Sequence, residues 1–199
     1  MRKIILYMTM SLDGFLAGPK NELDWMGGTP DDDEMNKDVL SVMKDVDTGV
    51  IGYPTGSGMI PYWAGVAKNP SASKAERELA RAIGKLHGIL ISTKPEEAVP
   101  ENAELLVVRN DKELVEAMEK LKRQSGRNIG VPGGVRTAQT FSRLGLVDEY
   151  VLMVHPVAIG EGKRLFTQRT NLDLVGSRTY DSGVIQVRYR PRTNQERGK

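Results

Sequence analysis

The 199-residue chain contains no cysteine. Disulfides, thiolate metal sites and a cysteine nucleophile are thereby excluded. Histidine is nearly absent as well. His87 and His155 stand apart, with no partner at metal-ligand spacing, so structural roles and no metal site are expected. No apolar run approaches the roughly 20 residues that a membrane helix needs. The opening MRKIILYM is too short for the apolar part of a secretory signal before SLDG follows. A cytoplasmic protein with no membrane attachment is expected. An excess of one charge is also lacking: 28 Lys and Arg stand against 26 Asp and Glu, a net +2. The surplus sits near the end, in Arg188, Arg190, Arg192, Arg197 and Lys199, with no aromatic platform beside it. A solvated tail over residues 192–199 and no nucleic-acid partner follow. There is no nucleophile elbow, no P-loop and no dinucleotide fingerprint.

What is present is an ordinary globular composition, 39% hydrophobic and 27% charged. The length suits one domain, taken as residues 1–191. Strand patterns alternate with helical ones. Residues 4–10 read as a buried strand. Residues 48–52, 88–92, 105–108 and 128–131 read as further strands. Met35, Val39, Val42 and Met43 mark a helix, with Asp31, Asp32 and Asp33 as its cap and first-turn charge. Ala75, Leu79, Ala82, Ile83 and Leu86 mark a second, capped by Ser73. A third carries Leu114, Val115, Met118 and Leu121, capped by Asp111. A fourth carries Val135, Ala138, Phe141 and Leu144. Residues 53–70, rich in Gly, Pro and aromatics, read as a loop. The last strands, 149–157, 172–179 and 184–189, have no helices between them. The order predicts an α/β fold with a mostly parallel sheet and antiparallel strands at one edge.

Four segments could carry chemistry. NIGVPGGVRT (128–137) runs a strand into a double glycine that opens a helix. Glycines let backbone approach a phosphate, and free N–H groups at a helix start bind anions; a tight strand–helix turn needs small residues too. Ser92, Thr93 and Lys94 end a strand, where two hydroxyls and an ammonium can hold a phosphate or merely cap a turn before Pro95. GYPTGSG (52–58) follows another strand. Ligands of open α/β sheets lie at the carboxyl ends of strands, which places these three side by side. The fourth segment, TMSLDGFLAG (9–18), suits a loop that closes on a ligand, with Gly14 and Gly18 as hinges. Asp13 could instead make an Asx turn. Trp25 is a pocket wall or a core residue.

Taken together, SLDG at 11–14, Gly133 and Gly134, GLVDE at 145–149 and HPVAIGEGKRLF at 155–166 resemble the dihydrofolate reductase-like superfamily. The resemblance is to the reductase domain of bifunctional riboflavin-biosynthesis deaminase-reductases, as a stand-alone bacterial member. It implies a three-layer α/β/α fold, with a central sheet of about eight strands and an antiparallel C-terminal hairpin. It implies NADPH across the strand ends. Thr9, Leu16 and Ala17 would border the nicotinamide. Gly52 and Thr55 would meet the phosphates. Ser92, Thr93 and Lys94 would hold the adenosine end and its 2′-phosphate. Gly133, Gly134, Val135, Arg136 and Thr137 would cradle the pyrophosphate. Asp13 and Trp25 would face the substrate, with Asp13 and Asp33 as candidate catalytic carboxylates.

The chain departs from the family where GRxTY is usual: it has GYPTG at 52–56, without the guanidinium. Val154 stands before His155 where dihydrofolate reductases usually have a threonine. No deaminase zinc motif is present. The implied activity is therefore that of a 5-amino-6-(5-phosphoribosylamino)uracil reductase-like enzyme, passing hydride to a small heterocyclic or sugar-phosphate substrate. Dihydrofolate or pteridine reduction, and nucleotide binding without catalysis, stay open beside it. Reductase domains of the family commonly pair, so a homodimer is expected, but no feature of the sequence fixes its interface.

Overall fold

The computed structural model describes residues 1–26 and 33–192. Asp31 and Asp32, and the tail from residue 193 onward, lie outside the described residues. In chain order the elements are β1 (Ile4–Ser11), β2 (Phe15–Ala17), α1 (Asp33–Lys44), β3 (Val46–Gly52), α2 (Tyr53–Val66), α3 (Lys74–Ile83), β4 (His87–Ser92), β5 (Ala103–Val107), α4 (Asp111–Arg123), β6 (Asn128–Val131), α5 (Val135–Arg143), β7 (Glu149–His155), β8 (Lys163–Arg164), β9 (Leu172–Thr179) and β10 (Ile185–Pro191).

Eight strands form one sheet in the order β5-β4-β3-β6-β1-β7-β10-β9. From β5 to β7 every pairing is parallel. β10 runs against both β7 and β9. The βαβ units come first and the meander last, as the pattern of the chain predicts. Side chains alternate across β1. Ile4, Leu6 and Met8 enter the main core with Met118 of α4 and Phe141 of α5, while Tyr7 and Met35 of α1 both pack against a second cluster of Met153, Tyr180 and Val184. α3 begins as expected, with a reciprocal capping box between Ser73 and Glu76. α4 does not: Asp111 is its first helical residue, and Asn110 is the cap, accepting the Glu113 N–H at 2.9 Å. β2 and β8, too short to show a period, pair as a separate two-stranded ribbon.

The largest correction concerns residues 53–70. Tyr53 to Val66 is a helix, although it holds Gly56, Gly58, Pro61 and Gly65. Pro54 sits in the first turn, where a missing N–H costs nothing. Gly56 is buried, and a Cβ there would lie 2.4 Å from Leu90 Cδ2 and 2.6 Å from Ile51 Cγ2. Close seating on β3 and β4 therefore overrides poor helix propensity. Trp63 packs into the cluster of Met43, Val46 and Leu79, and Tyr62 is exposed. Gly56→Ala is expected to cost about 1–3 kcal/mol by overpacking, although alanine is the better helix former. A raised melting temperature would contradict this account of α2.

Candidate functional site

The parallel strands present their carboxyl ends on one edge of the sheet. β6 is inserted between β3 and β1, so the chain's progress across the sheet reverses there, which is where open α/β sheets bind ligands. One helix leaves β3 and another leaves β6. Gly52 caps α2, Gly134 caps α5, and neither helix has an acidic residue in its first turn. The two starts are joined: Thr137 Oγ1, on a nearly buried side chain, accepts the Gly52 N–H at 3.0 Å. A Cβ at Gly52 would lie 2.8 Å from that oxygen. A Cβ at Gly134 would lie 3.2 Å from Thr137 Oγ1 and 3.3 Å from Thr55 Oγ1. Gly134 has φ 80° and ψ 106°, a conformation essentially reserved for glycine. Gly52, Thr55, Gly134 and Thr137 thus form one cradle, with two positive dipole ends directed at it. Gly133 packs on Ile51 and Met59 behind it. Val135 joins the main core, and Arg136 is exposed at the start of α5.

One strand outward, β4 ends at Ser92, whose hydroxyl accepts the Lys94 N–H at 3.0 Å. Thr93 and Lys94 are exposed. The neighbouring β5 is tied here by the Val108 N–H donating to Ser92 C=O at 2.9 Å. The next residue is Arg109, also exposed. Strand pairing therefore brings a second cation to the same strand end as Lys94, and no local motif announces it.

On the other side of the reversal, β1 and β7 run in register, with Ser11 opposite His155. The Ser11 hydroxyl donates to Asp13 Oδ1 at 2.6 Å and accepts the Phe15 N–H at 3.0 Å. Asp13 also accepts the N–H groups of Ile159 at 3.2 Å and Gly160 at 2.8 Å. The Ser11 hydroxyl, against some desolvation and helped by Gly160 and Ile159, holds the Asp13 carboxyl below the usual aspartate range. The loop after β1 is bound further to the loop after β7. Arg164 lies 4.3 Å over the Phe15 ring, and a Cβ at Gly162 would lie only 2.2 Å from Ala17 C=O. Leu16 and Ala17 are buried, Leu16 within the main core; Thr9 is half-buried on β1.

Trp25 meets His155 edge to face, with ring centroids 5.8 Å apart. The Trp25 indole N–H and His155 Nδ1 are both buried without a hydrogen-bond partner. Burial holds the His155 imidazole below its ordinary value, hence neutral. Orphaned buried polar atoms are rare in folded proteins and cluster where a ligand or water completes them. Asp33 opens α1, but its side chain lies outside the described residues. Among the described residues no group of three His, Asp or Glu could hold a metal ion, and no helix is long and apolar enough to cross a membrane.

Residues 2–186 match the family model of the RibD C-terminal domain. The chain belongs to that family. It is 34% identical over 191 residues to YyaP, a protein of Bacillus subtilis strain 168 described as uncharacterized, covering 94% of each chain. A Shewanella sp. PV-4 protein assigned to riboflavin biosynthesis superposes with a TM-score of 0.71 at 21% identity, covering 96% of this chain and 99% of that one. Dihydrofolate reductase from Enterococcus faecalis, complexed with NADP(H), superposes with a TM-score of 0.60 at 13% identity, covering 96% and 97%. The three-layer fold is dihydrofolate reductase-like. Within this member of the RibD C-terminal-domain family, the two-helix cradle, the Ser92 strand end and the bound loops all lie on one edge of the sheet.

Proposed function

We propose that the protein is an NADPH-dependent reductase of the riboflavin-biosynthesis reductase-domain type, acting on a heterocyclic or sugar-phosphate substrate of the 5-amino-6-(5-phosphoribosylamino)uracil class. One observation carries this reading. Two helix starts, free of acidic side chains, converge on Gly52, Thr55, Gly134 and Thr137, where two glycines let the backbone come close to the threonine hydroxyls. Such a cradle fits a pyrophosphate, because backbone N–H groups and hydroxyls satisfy its oxygens while the dipoles offset its charge. When bound, the cofactor supplies the hydride. The chain's residues do the rest. The cradle holds the diphosphate, with Arg136 at its rim. Ser92, Thr93 and Lys94, joined by Arg109, bind the adenosine end, where two cations favour an extra phosphate. Thr9, Leu16 and Ala17 shape the nicotinamide side from β1 and β2. Asp13, held below the usual aspartate range with three donors on its carboxylate, is a poor acid; it ties the loop after β1 to the loop after β7. Trp25 and His155 offer one donor and one acceptor toward the substrate side. Asp33 keeps its candidacy as proton donor from its place at the start of α1.

Fluorescence titration tests this. NADPH is expected to bind in the micromolar range and more tightly than NADH. The double variant Lys94→Ala with Arg109→Ala should weaken NADPH by roughly 10-fold or more, the loss of one to two charge-assisted contacts, and leave NADH unchanged. No binding of either nucleotide would sink the proposal. Nucleotide binding without catalysis is the second reading. It is favoured at Tyr53, which occupies the position of the family's usual arginine and donates its hydroxyl to Ala98 C=O at 3.0 Å. Tight NADPH binding with no turnover across a panel of pyrimidine and pteridine substrates would select it.

A further inference from the structure

β5 runs parallel to β4, with Ala103 opposite Gly88. The chain must therefore travel back along the whole strand between Ser92 and Ala103. The first part of this loop is held before it turns back. The Tyr53 hydroxyl, on the first residue of α2, donates to Ala98 C=O at 3.0 Å. Tyr53 directly follows Gly52 of the cradle. The tether thus keeps the stretch from Thr93 to Ala98 at the carboxyl end of the sheet, beside the start of α2.

That stretch carries Glu97. The residue is half-buried, and its Oε2 is buried with no hydrogen-bond partner among the described residues. Lys94 stands in the same loop, yet it gives that oxygen no bond. A carboxylate oxygen withdrawn from water without a donor is costly. Glu96, next to it, is exposed and escapes that cost. Orphaned buried atoms are rare, and one that persists beside a cleft fits a ligand that completes it.

The chemistry of the missing partner follows. An ionised carboxylate only accepts hydrogen bonds. It repels a phosphate and calls for a neutral N–H or O–H. The same strand end holds Lys94 and Arg109, which suit a phosphate. A nucleotide that meets all three must carry its phosphate and its neutral donor apart. On adenosine 2′-phosphate, the 3′-hydroxyl adjoins the phosphate, where a carboxylate is unfavourable. The 6-amino group of adenine lies at the far end of the base, clear of that charge.

We infer, resting on the NADPH reading of this site, that Glu97 is a specificity-determining residue that accepts a hydrogen bond from the adenine amine. Tyr53 positions it by holding the loop. Bases with a carbonyl in place of that amine are disfavoured.

Fluorescence titration of the intact chain tests this with three nucleotides. Glu97→Ala should weaken NADPH and NADH by the same factor, roughly 10-fold, because both carry the amine. This sets it apart from the Lys94 and Arg109 variant, which spares NADH. Deamino-NADPH, with a carbonyl in place of the amine, should bind wild type more weakly than NADPH does and lose nothing further in Glu97→Ala. General electrostatics predicts the opposite sign, since removing a negative charge beside a polyanion tightens binding. Glu96→Ala measures that background and should bind NADPH at least as tightly as wild type. Because Oε2 has no partner within the chain, Glu97→Ala should melt no lower than wild type, which separates lost binding from lost folding. A Glu97→Ala protein that binds NADPH like wild type, or that weakens NADPH and deamino-NADPH alike, would overturn the inference and leave the cofactor reading standing. A wild type that binds no nucleotide would overturn both.

Discussion

Asp47→Ala is expected to lower the free energy of unfolding by about 3 kcal/mol, near the lower end for breaking a buried ion pair. The reason lies at the sheet end opposite the site. Arg2 is only 7% exposed. Its guanidinium donates to Arg127 C=O at 2.5 Å, to Thr48 Oγ1 at 2.6 Å and to Asp47 Oδ1. Asp47 in turn accepts the Thr48 hydroxyl at 2.8 Å and the Arg127 N–H at 2.6 Å. One carboxylate thus joins the segment leading into β1, the start of β3 and the turn into β6. Gly126, with φ 140°, is required beside it, since a Cβ would lie 2.7 Å from Asp47 Oδ2. Removing the carboxylate leaves a buried guanidinium without its counter-charge. Asp47 is itself one-third exposed, so water can partly replace it, which favours the lower figure. For a chain of this size the loss corresponds to roughly 6–12 °C in melting temperature.

The same site sets a pH dependence. Burial alone would raise the Asp47 carboxyl. The Arg127 N–H, the Thr48 hydroxyl and the charges of Arg2 and Arg127 outweigh it and hold the group below its ordinary value of 3.8. A carboxyl lower in the folded than in the unfolded chain binds protons preferentially when unfolded, so its contribution is complete above that ordinary value and fades as pH falls below it. The stability gap between wild type and Asp47→Ala, measured by urea melts, should be constant from neutral pH down to about pH 5 and narrow toward pH 3. A gap that stays constant to pH 3 would show that the carboxylate's charge is not what stabilises this end.

Much of the architecture was legible because each local signal agreed with the sheet it joined. Buried β-rich runs before helical periods predicted parallel strands, and the last three strands without helices predicted the meander. Gly133 and Gly134 announced a strand–helix junction, and the rule for sheet ends set it beside Gly52 and Ser92. What escaped the sequence depends on contacts between distant residues. α2 is a helix because Gly56 seats on Ile51 and Leu90, and no local propensity reports that fit. Arg109 joins Lys94 only through the pairing of β4 with β5. The N–H groups that bind Asp13 come from Ile159 and Gly160, far away along the chain. The partnerless nitrogens of Trp25 and His155 needed the structure, since an orphaned atom is defined by what does not surround it.

Gly134→Ala is expected to weaken NADPH binding at least 10-fold. The residue holds φ 80° and ψ 106°, where a side chain costs on the order of 1–3 kcal/mol. The new methyl would also stand 3.2 Å from Thr137 Oγ1 and 3.3 Å from Thr55 Oγ1, inside the space between the two helix starts. Either the chain keeps its path and the methyl fills the cradle, or it relaxes and turns the first N–H groups of α5 away. Both outcomes remove donors from a diphosphate. Thr137→Ser separates binding from folding: it keeps the hydroxyl that accepts the Gly52 N–H and should bind NADPH within about 3-fold of wild type. Titrations of both variants, beside their melting temperatures, decide the matter. A Gly134→Ala protein that melts lower but binds NADPH like wild type would mean that the cradle shapes the fold and holds no diphosphate.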